Sequence, residues 1–179
     1  QLVRLPGVEL LRIPGRVPNE MAVREMRQLL ARDRLAFSEE QYDLLIMAKT
    51  ASLLSGACET GAIRAPAEQR QAMREFGLRL GMAFQIVDDL LDYTGDATIT
   101  GKPVGADLRE HKVTLPLIYA LPRLSARQRR EVSALMDTET PTDAQIAAVL
   151  ADTRRLEEIT RNGRPMRISA AYDGMEITL

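Results

Sequence analysis

The chain has 179 residues, of which 45% are apolar and only 4% aromatic, and its 24 basic and 25 acidic residues nearly cancel. A chain of this length can bury a core of its own, whereas balanced charge gives no overall field to attract nucleic acid or an anionic membrane. No apolar run approaches the roughly 18 residues of a membrane-spanning helix. The single cysteine, Cys58, cannot form an internal disulfide. We therefore expect a soluble, cytoplasmic protein with no nucleic-acid partner and no membrane span.

Helical periodicity and capping signals recur along the chain, and no strand pattern of weight interrupts them. The predicted helices begin near Asn19, Ser38, Pro66, Asp107, Ser125 and Thr142, and the last one ends near Gly163. Asp107 is expected to cap the fourth helix and Pro116 to kink it. Prolines and glycines mark 1–18, and 164–179 lacks helical periodicity. The sequence therefore predicts an all-α domain over 19–163 between two irregular ends.

The third predicted helix carries the most informative segment of the chain, from Phe84 to Asp92. At helical spacing a polar stripe contains Gln85, Asp88, Asp89 and Asp92. An apolar stripe, which we expect a core to cover, contains Phe84, Val87, Leu90 and Leu91. The same helix has an apolar series at Met73, Phe76, Leu80, Phe84, Val87 and Leu91.

The three carboxylates of that helix crowd together, and no Lys or Arg lies between Arg79 and Lys102 to offset them. Like charges at these spacings repel. A hard divalent cation such as Mg²⁺ removes the penalty, because carboxylate oxygens are its preferred protein ligands. The alternative is a solvated acidic face without a ligand.

Lysine is rare in this chain, because 24 basic residues include only three lysines: Lys49, Lys102 and Lys112. Lys49 lies on the apolar stripe of the second helix, where it either extends its ammonium to water or awaits an anionic ligand beside the hydroxyl of Thr50. Lys102 lies in a Gly-Lys-Pro loop. His111, the only histidine, is interpreted as a solvated residue rather than a base. The placement of the lysines favours sites that need a compact point charge, as phosphate oxygens do.

Four segments together resemble the trans-isoprenyl diphosphate synthases, and most of all the polyprenyl (octaprenyl-like) diphosphate synthases. They are Lys-Thr-Ala-Ser-Leu at 49–53, Phe-Gln-Ile-Val-Asp-Asp-Leu-Leu-Asp at 84–92, Gly-Lys-Pro-Val-Gly-Ala-Asp-Leu at 101–108 and Lys-Val-Thr-Leu-Pro at 112–116. Their order and spacing agree with that family over roughly residues 19–158. The resemblance implies an all-α, isoprenoid-synthase-type helical bundle, here partial.

The resemblance also implies a chemistry and a role for each candidate residue. In the family, Mg²⁺ ions bound between two Asp-rich motifs grip an allylic diphosphate, which leaves, and isopentenyl diphosphate adds to the resulting carbocation. Here Asp88, Asp89 and Asp92 would be the second Asp-rich motif and bind the metal. Lys49, Lys102 and Lys112 would contact the diphosphate. Thr50 and Gln85 would lie near the reacting end, so that the catalytic set is Lys49, Thr50, Gln85 and Lys102.

Several family features are missing from this sequence. The first Asp-rich motif, the Gly-Gly-Lys-x-x-Arg-Pro site for isopentenyl diphosphate and an Arg-Arg pair are absent, and Arg24 replaces a usual glycine. The chain therefore resembles the C-terminal half of such an enzyme. We weigh two functional classes: a prenyltransferase or its metal-binding half, and a truncated or non-catalytic subunit bound to a complete partner. A homodimer or a hetero-oligomer with a complete synthase is expected.

Overall fold

Helices account for most of the chain that the computed structural model describes, namely residues 34–95, 101, 103–161, 168–169 and 176–177. In chain order the α-helices are α1 (Glu39–Ile46), α2 (Ser52–Gly61), α3 (Ala67–Thr94), α4 (Ala106–Arg109), α5 (Leu115–Ala120), α6 (Ala126–Asp137) and α7 (Asp143–Arg161). Two 3-10 turns, at Arg34–Ala36 and Leu121–Arg123, and a π-helical turn, at Met47–Ala51, complete the helical elements. The predicted all-α class is confirmed. The predicted helix from Asn19 and the residue Lys102 lie outside the described residues.

One small sheet lies in the segment that the sequence analysis predicted to be irregular. Strands β1 (Ile168–Ser169) and β2 (Glu176–Ile177) pair antiparallel, with Ile168 opposite Ile177. Two residues per strand are too few to show an alternating pattern in the sequence. The predicted domain limits at 19–163 remain a prediction.

The helix starts predicted at Ser125 and Thr142 are confirmed. Helix α6 begins with a complete capping box, in which the Ser125 hydroxyl accepts from the Gln128 N–H and the Gln128 side chain accepts from the Ser125 N–H. Thr142 and Gln145 make the same reciprocal pair at the start of α7. These signals are contained within four residues, so the sequence alone specifies them.

Among the described residues, unit 1 of the fold comprises residues 40–85, that is α1 from Glu40, the π-helical turn, α2 and α3 as far as Gln85. Helices α2 and α3 pack closely together in this unit. A Cβ on Gly77 would lie 2.5 Å from the Leu54 carbonyl oxygen, and one on Gly81 would overlap the Cα of Ala51. The Ser55 hydroxyl donates to the Arg74 carbonyl at 2.9 Å. Glycine is therefore required at both positions for this close helix packing.

Unit 2 comprises residues 33–39 and the chain from Ile86 onward. Its core is a cluster of buried side chains contributed by the end of α3 and by the helices that follow it. The cluster consists of Tyr93, Leu108, Val113, Leu117, Leu124, Val132, Leu135, Met136, Ile146, Val149 and Leu150. Because these side chains are almost completely removed from water, the hydrophobic effect stabilises this unit strongly.

The predicted burial of the α3 stripes is wrong in part. Phe84, Val87 and Leu91 are exposed, and only Leu90 of that apolar stripe is buried. The side chains of α3 that are buried instead are Met82, Ile86, Asp89, Leu90 and Tyr93. The helix is apolar on two faces, and periodicity identifies such faces without showing which of them is covered.

The predicted fourth helix is also corrected, because two short helices replace one kinked helix. Gly105, with a left-handed φ of 82°, occupies the N-cap position of α4, so Asp107 lies within the first turn rather than at the cap. His111, with φ 57°, follows the end of α4. Pro116 lies in the first turn of α5, where its missing N–H costs nothing, so it begins a helix instead of kinking one.

The apolar stripe predicted around Lys49 does not continue past the π-helical turn. Tyr42 and Ile46 precede the turn and are buried, whereas Leu53 follows it and is 50% exposed. A π-helical turn contains more residues than an α-helical turn, so it shifts the faces of the helix that follow it. Lys49 itself lies in the turn and is exposed.

Candidate functional site

The three aspartates at the end of α3 have different surroundings, although the sequence placed them on one stripe. Asp88 is exposed, Asp92 is half-buried, and Asp89 is only 5% exposed. A buried aspartate is unusual, because burial strongly disfavours the charged form unless partners compensate. The three aspartates therefore range from an exposed position to a buried one within unit 2.

Asp92 is anchored to the loop that precedes α4. Its Oδ1 accepts from the Ala106 N–H at 3.0 Å and its Oδ2 from the Asp107 N–H at 2.9 Å. Its main-chain carbonyl accepts from the Gly105 N–H at 2.8 Å. Hydrogen bonds to a carboxylate are stronger than those between neutral groups. Asp92 therefore fixes the start of α4 against the end of α3.

Asp107 is the acidic residue that this anchor brings to the cluster, and the sequence analysis treated it only as a helix cap. Burial, together with the negative charges of Asp89 and Asp92, raises the pKa of Asp107 to about 6, and Lys112 acts in the opposite direction. Four aspartates, Asp88, Asp89, Asp92 and Asp107, thus belong to what we call the acid cluster. The signal for Asp107 was present in the matching segment 101–108, but its closeness to Asp89 and Asp92 depends on the loop conformation.

Lys112 and Tyr93 border the acid cluster. The Lys112 Nζ lies 3.3 Å from Asp107 Oδ1 and 2.6 Å from Glu110 Oε2. Burial lowers the pKa of Lys112, but its bonds to Glu110 and Asp107 outweigh burial, and the net pKa is raised. Burial raises the pKa of the Tyr93 hydroxyl, and the charges of Asp107 and the other nearby aspartates add to the effect. Lys112 therefore offsets part of the negative charge at the Asp107 side of the cluster.

The donor chemistry of the cluster fits a hard divalent cation, whereas its geometry supplies only part of a site. The oxygen ligands are carboxylates, as Mg²⁺ and Ca²⁺ require, and their mutual repulsion would fall on cation binding. Within the described parts of the chain, no group of three or more His, Cys, Asp or Glu side chains is arranged to hold a metal ion. Ligands from a bound diphosphate, water or a partner are therefore needed to complete the coordination.

Three candidate catalytic residues lie in unit 1: Thr50 and Gln85, which are hydrogen-bonded to each other, and Lys49, which is next to Thr50 in the chain. The Thr50 hydroxyl donates to Gln85 Oε1 at 2.7 Å, which joins the π-helical turn to α3. Lys49 lies beside Thr50 in that turn and is exposed. π-helical turns are often found at functional sites, and this one was not predicted. Lys102, the fourth candidate, lies outside the described residues.

His111 is held in place rather than solvated. Its Nε2 lies 2.7 Å from the Thr138 carbonyl oxygen, and the residue is half-buried. The contact joins the turn after α4 to the end of α6. A structural role agrees with the interpretation that His111 is not a base.

A family model described as polyprenyl synthetase matches residues 1–153. This match begins earlier in the chain than the resemblance seen from the motifs, which started at residue 19. No helix among the described residues is both long and apolar enough to cross a membrane.

Two curated relatives and one solved structure show the same similarity. The octaprenyl diphosphate synthase of Haemophilus influenzae is 33% identical over 99% of this chain and 55% of its own length. Heptaprenyl diphosphate synthase component 2 of Bacillus subtilis is 31% identical over 96% of this chain and 48% of its own length. A polyprenyl synthase from Caulobacter crescentus CB15, complexed with calcium and isoprenyl diphosphate, is 31% identical with a TM-score of 0.73, over 87% of this chain and 50% of that one. The chain spans about half the length of each. It belongs to the polyprenyl synthetase family.

Proposed function

We propose that this chain is the C-terminal, metal-binding part of a polyprenyl diphosphate synthase. The complete enzyme would catalyse the Mg²⁺-dependent condensation of isopentenyl diphosphate with an allylic diphosphate, in the cytoplasm. One observation carries the proposal most directly: Asp92 accepts the N–H groups of Ala106 and Asp107, which brings Asp107 to the aspartates of α3, where burial and the charges of Asp89 and Asp92 raise its pKa. Carboxylates held close together against their own repulsion are typical of functional sites rather than of solvated acidic surfaces.

The aspartates would have distinct roles within this site. Asp88 is exposed and Asp89 is buried, so they would bind a cation from the surface and from the interior side. Asp92 uses both carboxylate oxygens for backbone bonds, and would reach the cation through its remaining lone pairs or through water. Asp107 would add negative charge behind them. Mg²⁺ would supply charge neutralisation for a departing diphosphate.

The basic and polar residues would act on the substrate directly. Lys49 is exposed, so its ammonium can reach an anionic ligand. Lys102 would be the second diphosphate contact. Lys112 already neutralises Asp107 and Glu110, so its contribution to a diphosphate would be weaker. The bond from Thr50 to Gln85 would fix both side chains near the reacting end, and preorganised polar groups there would favour the transition state.

A second candidate is a subunit that lacks activity alone and acts with a partner, as a homodimer or a hetero-oligomer. Two observations favour this candidate. One relative is named as a component of a heptaprenyl diphosphate synthase, and this chain matches only about half the length of each relative. Because the first Asp-rich motif is absent from the sequence, charge neutralisation from one side only would leave the isolated chain with negligible turnover.

Ligand-linked stability tests the proposed site. Inorganic pyrophosphate with Mg²⁺ should raise the free energy of unfolding more than either added alone, by about 1 kcal/mol when the ligand is about five times above its Kd. For a chain of this size, this shift corresponds to roughly 2–4 °C in the melting temperature. Calorimetric melting curves with each addition provide the measurement.

Two substitutions show whether the acid cluster causes this shift. Asp88→Asn should abolish the combined effect of Mg²⁺ and pyrophosphate, because it removes a charge from the accessible end of the cluster. Asp137→Asn changes an exposed aspartate at the end of α6 and should leave the shift intact. Melting curves that ignore both additions in the unsubstituted chain would rule out the proposed site.

A further inference from the structure

The turn between α4 and α5 contains His111 in an unfavourable backbone conformation. Its φ is 57°, and among the described residues it is the one non-glycine residue with a positive φ. An L side chain in this left-handed region crowds the backbone, whereas glycine has no such penalty. Glycine would therefore suit this backbone better, so the presence of the histidine side chain needs an explanation.

The imidazole ring makes a contact that glycine cannot make. Its Nε2 lies 2.7 Å from the carbonyl oxygen of Thr138, which is the C-cap residue of α6. A carbonyl oxygen can only accept, so Nε2 carries the hydrogen and donates it. Main-chain bonds close the turn internally, because the His111 N–H donates to the Leu108 carbonyl and the Lys112 N–H donates to the Asp107 carbonyl. The ring therefore joins an already closed turn to a neighbouring helix.

A second polar contact connects the end of α4 to the start of α7. Arg109 Nη1 lies 2.9 Å from Asp143 Oδ1, and these side chains are 44% and 90% exposed. Exposed ion pairs contribute little, because water and salt screen them and two long side chains lose entropy. His111 is half-buried, so its hydrogen bond is screened less. We therefore expect the histidine contact to determine where the turn lies.

Lys112 directly follows His111, and its ammonium lies over the same turn. The Nζ atom is 3.3 Å from Asp107 Oδ1 and 2.6 Å from Glu110 Oε2. Both carboxylates come from α4 and the residue that ends it, so these distances depend on the conformation of the turn. Displacement of the turn would separate the ammonium from Asp107, the member of the acid cluster that it neutralises.

We propose that His111 is a positioning residue, which holds Lys112 against Asp107 through the hydrogen bond to Thr138. Its action on a ligand rests on the proposed function, whereas its effect on Lys112 does not. A lysine held in this way presents a fixed positive charge beside the carboxylates. An anionic ligand would bind such a charge more favourably than a mobile one, because less side-chain entropy is lost on binding.

Lysine acetylation tests the placement of Lys112. The chain has only three lysines, so treatment with dilute acetic anhydride followed by mass spectrometry measures Lys112 and Lys49 in one sample. Burial lowers the pKa of Lys112, but its bonds to Glu110 and Asp107 outweigh burial and raise it, and a protonated amine does not react. His111→Gly keeps the backbone conformation and removes the bond. Lys112 should then react about threefold faster, as expected for release of a weak ion pair, whereas the rate at Lys49 should not change.

Two further variants separate positioning from stability. His111→Gln has an amide N–H with a reach similar to that of Nε2, and should restore slow acetylation of Lys112. Arg109→Gln removes the exposed pair with Asp143 and should leave the rate unchanged. Urea denaturation measures the free energy of unfolding of each variant. In His111→Gly, relief of the left-handed conformation should offset part of the lost bond, so stability and Lys112 reactivity should not change in parallel.

Three results would overturn the proposal. The first is an unchanged rate at Lys112 in His111→Gly. The second is an equal increase in His111→Gln or in Arg109→Gln, which would mean that the imidazole bond is not the cause. The third is a parallel increase at Lys49, which would mean that the whole chain has loosened.

Pyrophosphate binding in the presence of Mg²⁺ connects His111 to the proposed site. The Kd, measured by calorimetric titration, should rise about threefold in His111→Gly, of the order of one weak ion pair, and recover in His111→Gln. Equal affinity of the unsubstituted chain and His111→Gly would overturn the action of His111 on a ligand. Absence of binding by the unsubstituted chain would contradict the proposed function, and acetylation would still decide whether His111 positions Lys112.

Discussion

The two units of the fold bury their apolar side chains to different degrees. Among the described residues, unit 2 has a core cluster of 11 buried side chains, and its exposed large apolar residues there are Val87, Leu91 and Tyr119. Unit 1 buries chiefly Tyr42, Ile46, Ala48, Ala51 and Met82, and exposes Leu44, Leu53, Met73, Phe76, Leu80 and Phe84. Among the described residues, unit 2 therefore has the larger buried core, whereas unit 1 exposes more of its large apolar side chains. The acid cluster lies on the unit with the larger core.

The largest expected difference between the units is in core stability. Leu117 is fully buried in unit 2, and Leu80 is 45% exposed in unit 1. Leu117→Ala should lower the free energy of unfolding by about 3 kcal/mol, through lost burial and the cavity left behind. Leu80→Ala should change it by less than about 0.5 kcal/mol. Urea denaturation of both variants measures the contrast.

If Leu117→Ala and Leu80→Ala lowered the free energy of unfolding by similar amounts, the difference in core stability between the units would be contradicted. A large cost at Leu80 would mean that its side chain is already covered in the isolated chain.

The second contrast is between the polar anchors of the two units. Asp92 accepts two backbone N–H bonds in unit 2, whereas Thr50 donates one bond to Gln85 in unit 1. Asp92→Ala should cost about 2 kcal/mol, because it removes two charge-assisted bonds and leaves two N–H groups without this acceptor. Thr50→Val, which preserves shape, should cost about 1 kcal/mol.

Chemical denaturation again provides the measurement, and Asp88→Ala is the control. Asp88 is exposed, so its removal should change stability by less than about 0.5 kcal/mol. If Asp92→Ala lowered the free energy of unfolding as little as Asp88→Ala does, Asp92 would not anchor the start of α4.

The sequence predicted the parts of the fold that depend on neighbouring residues. The capping boxes at Ser125 and Thr142 and the start of α3 after Pro66 are local signals, and the structure confirms them. The family was recognisable because its motifs are also short and ordered. The residue roles at Lys49 and Asp88 remain predictions.

The predictions that were wrong concern features that long-range packing determines. Periodicity located one apolar face of α3 and predicted that a core covers it, but Phe84 on that face is exposed while Ile86 on another face is buried, because burial depends on which neighbour packs against the helix. Asp107 was missed as a member of the acid cluster for a similar reason. Its closeness to Asp92 requires the left-handed Gly105 and the loop hydrogen bonds, and no local pattern specifies that conformation.

The smallest expected effect is a pH dependence that arises in unit 2. Burial, with the charges of Asp89 and Asp92, raises the pKa of Asp107 to about 6 in the folded chain, against about 3.9 when unfolded. Between these values the folded chain binds more protons, so its stability should fall as the pH rises from about 4 to about 6 and then level off. Because water screens this half-buried group, we expect a change of about 1 kcal/mol. Lys112 does not contribute, because its raised pKa lies far above this range.

Urea titrations at half-unit pH intervals measure the free energy of unfolding against pH. Its slope should be smaller for Asp107→Asn than for the unsubstituted chain, whereas Asp137→Asn should retain the slope. A slope of the opposite sign that depends on Asp107 would mean that the cluster stabilises the charged carboxylate, and that the repulsion assigned to unit 2 is absent.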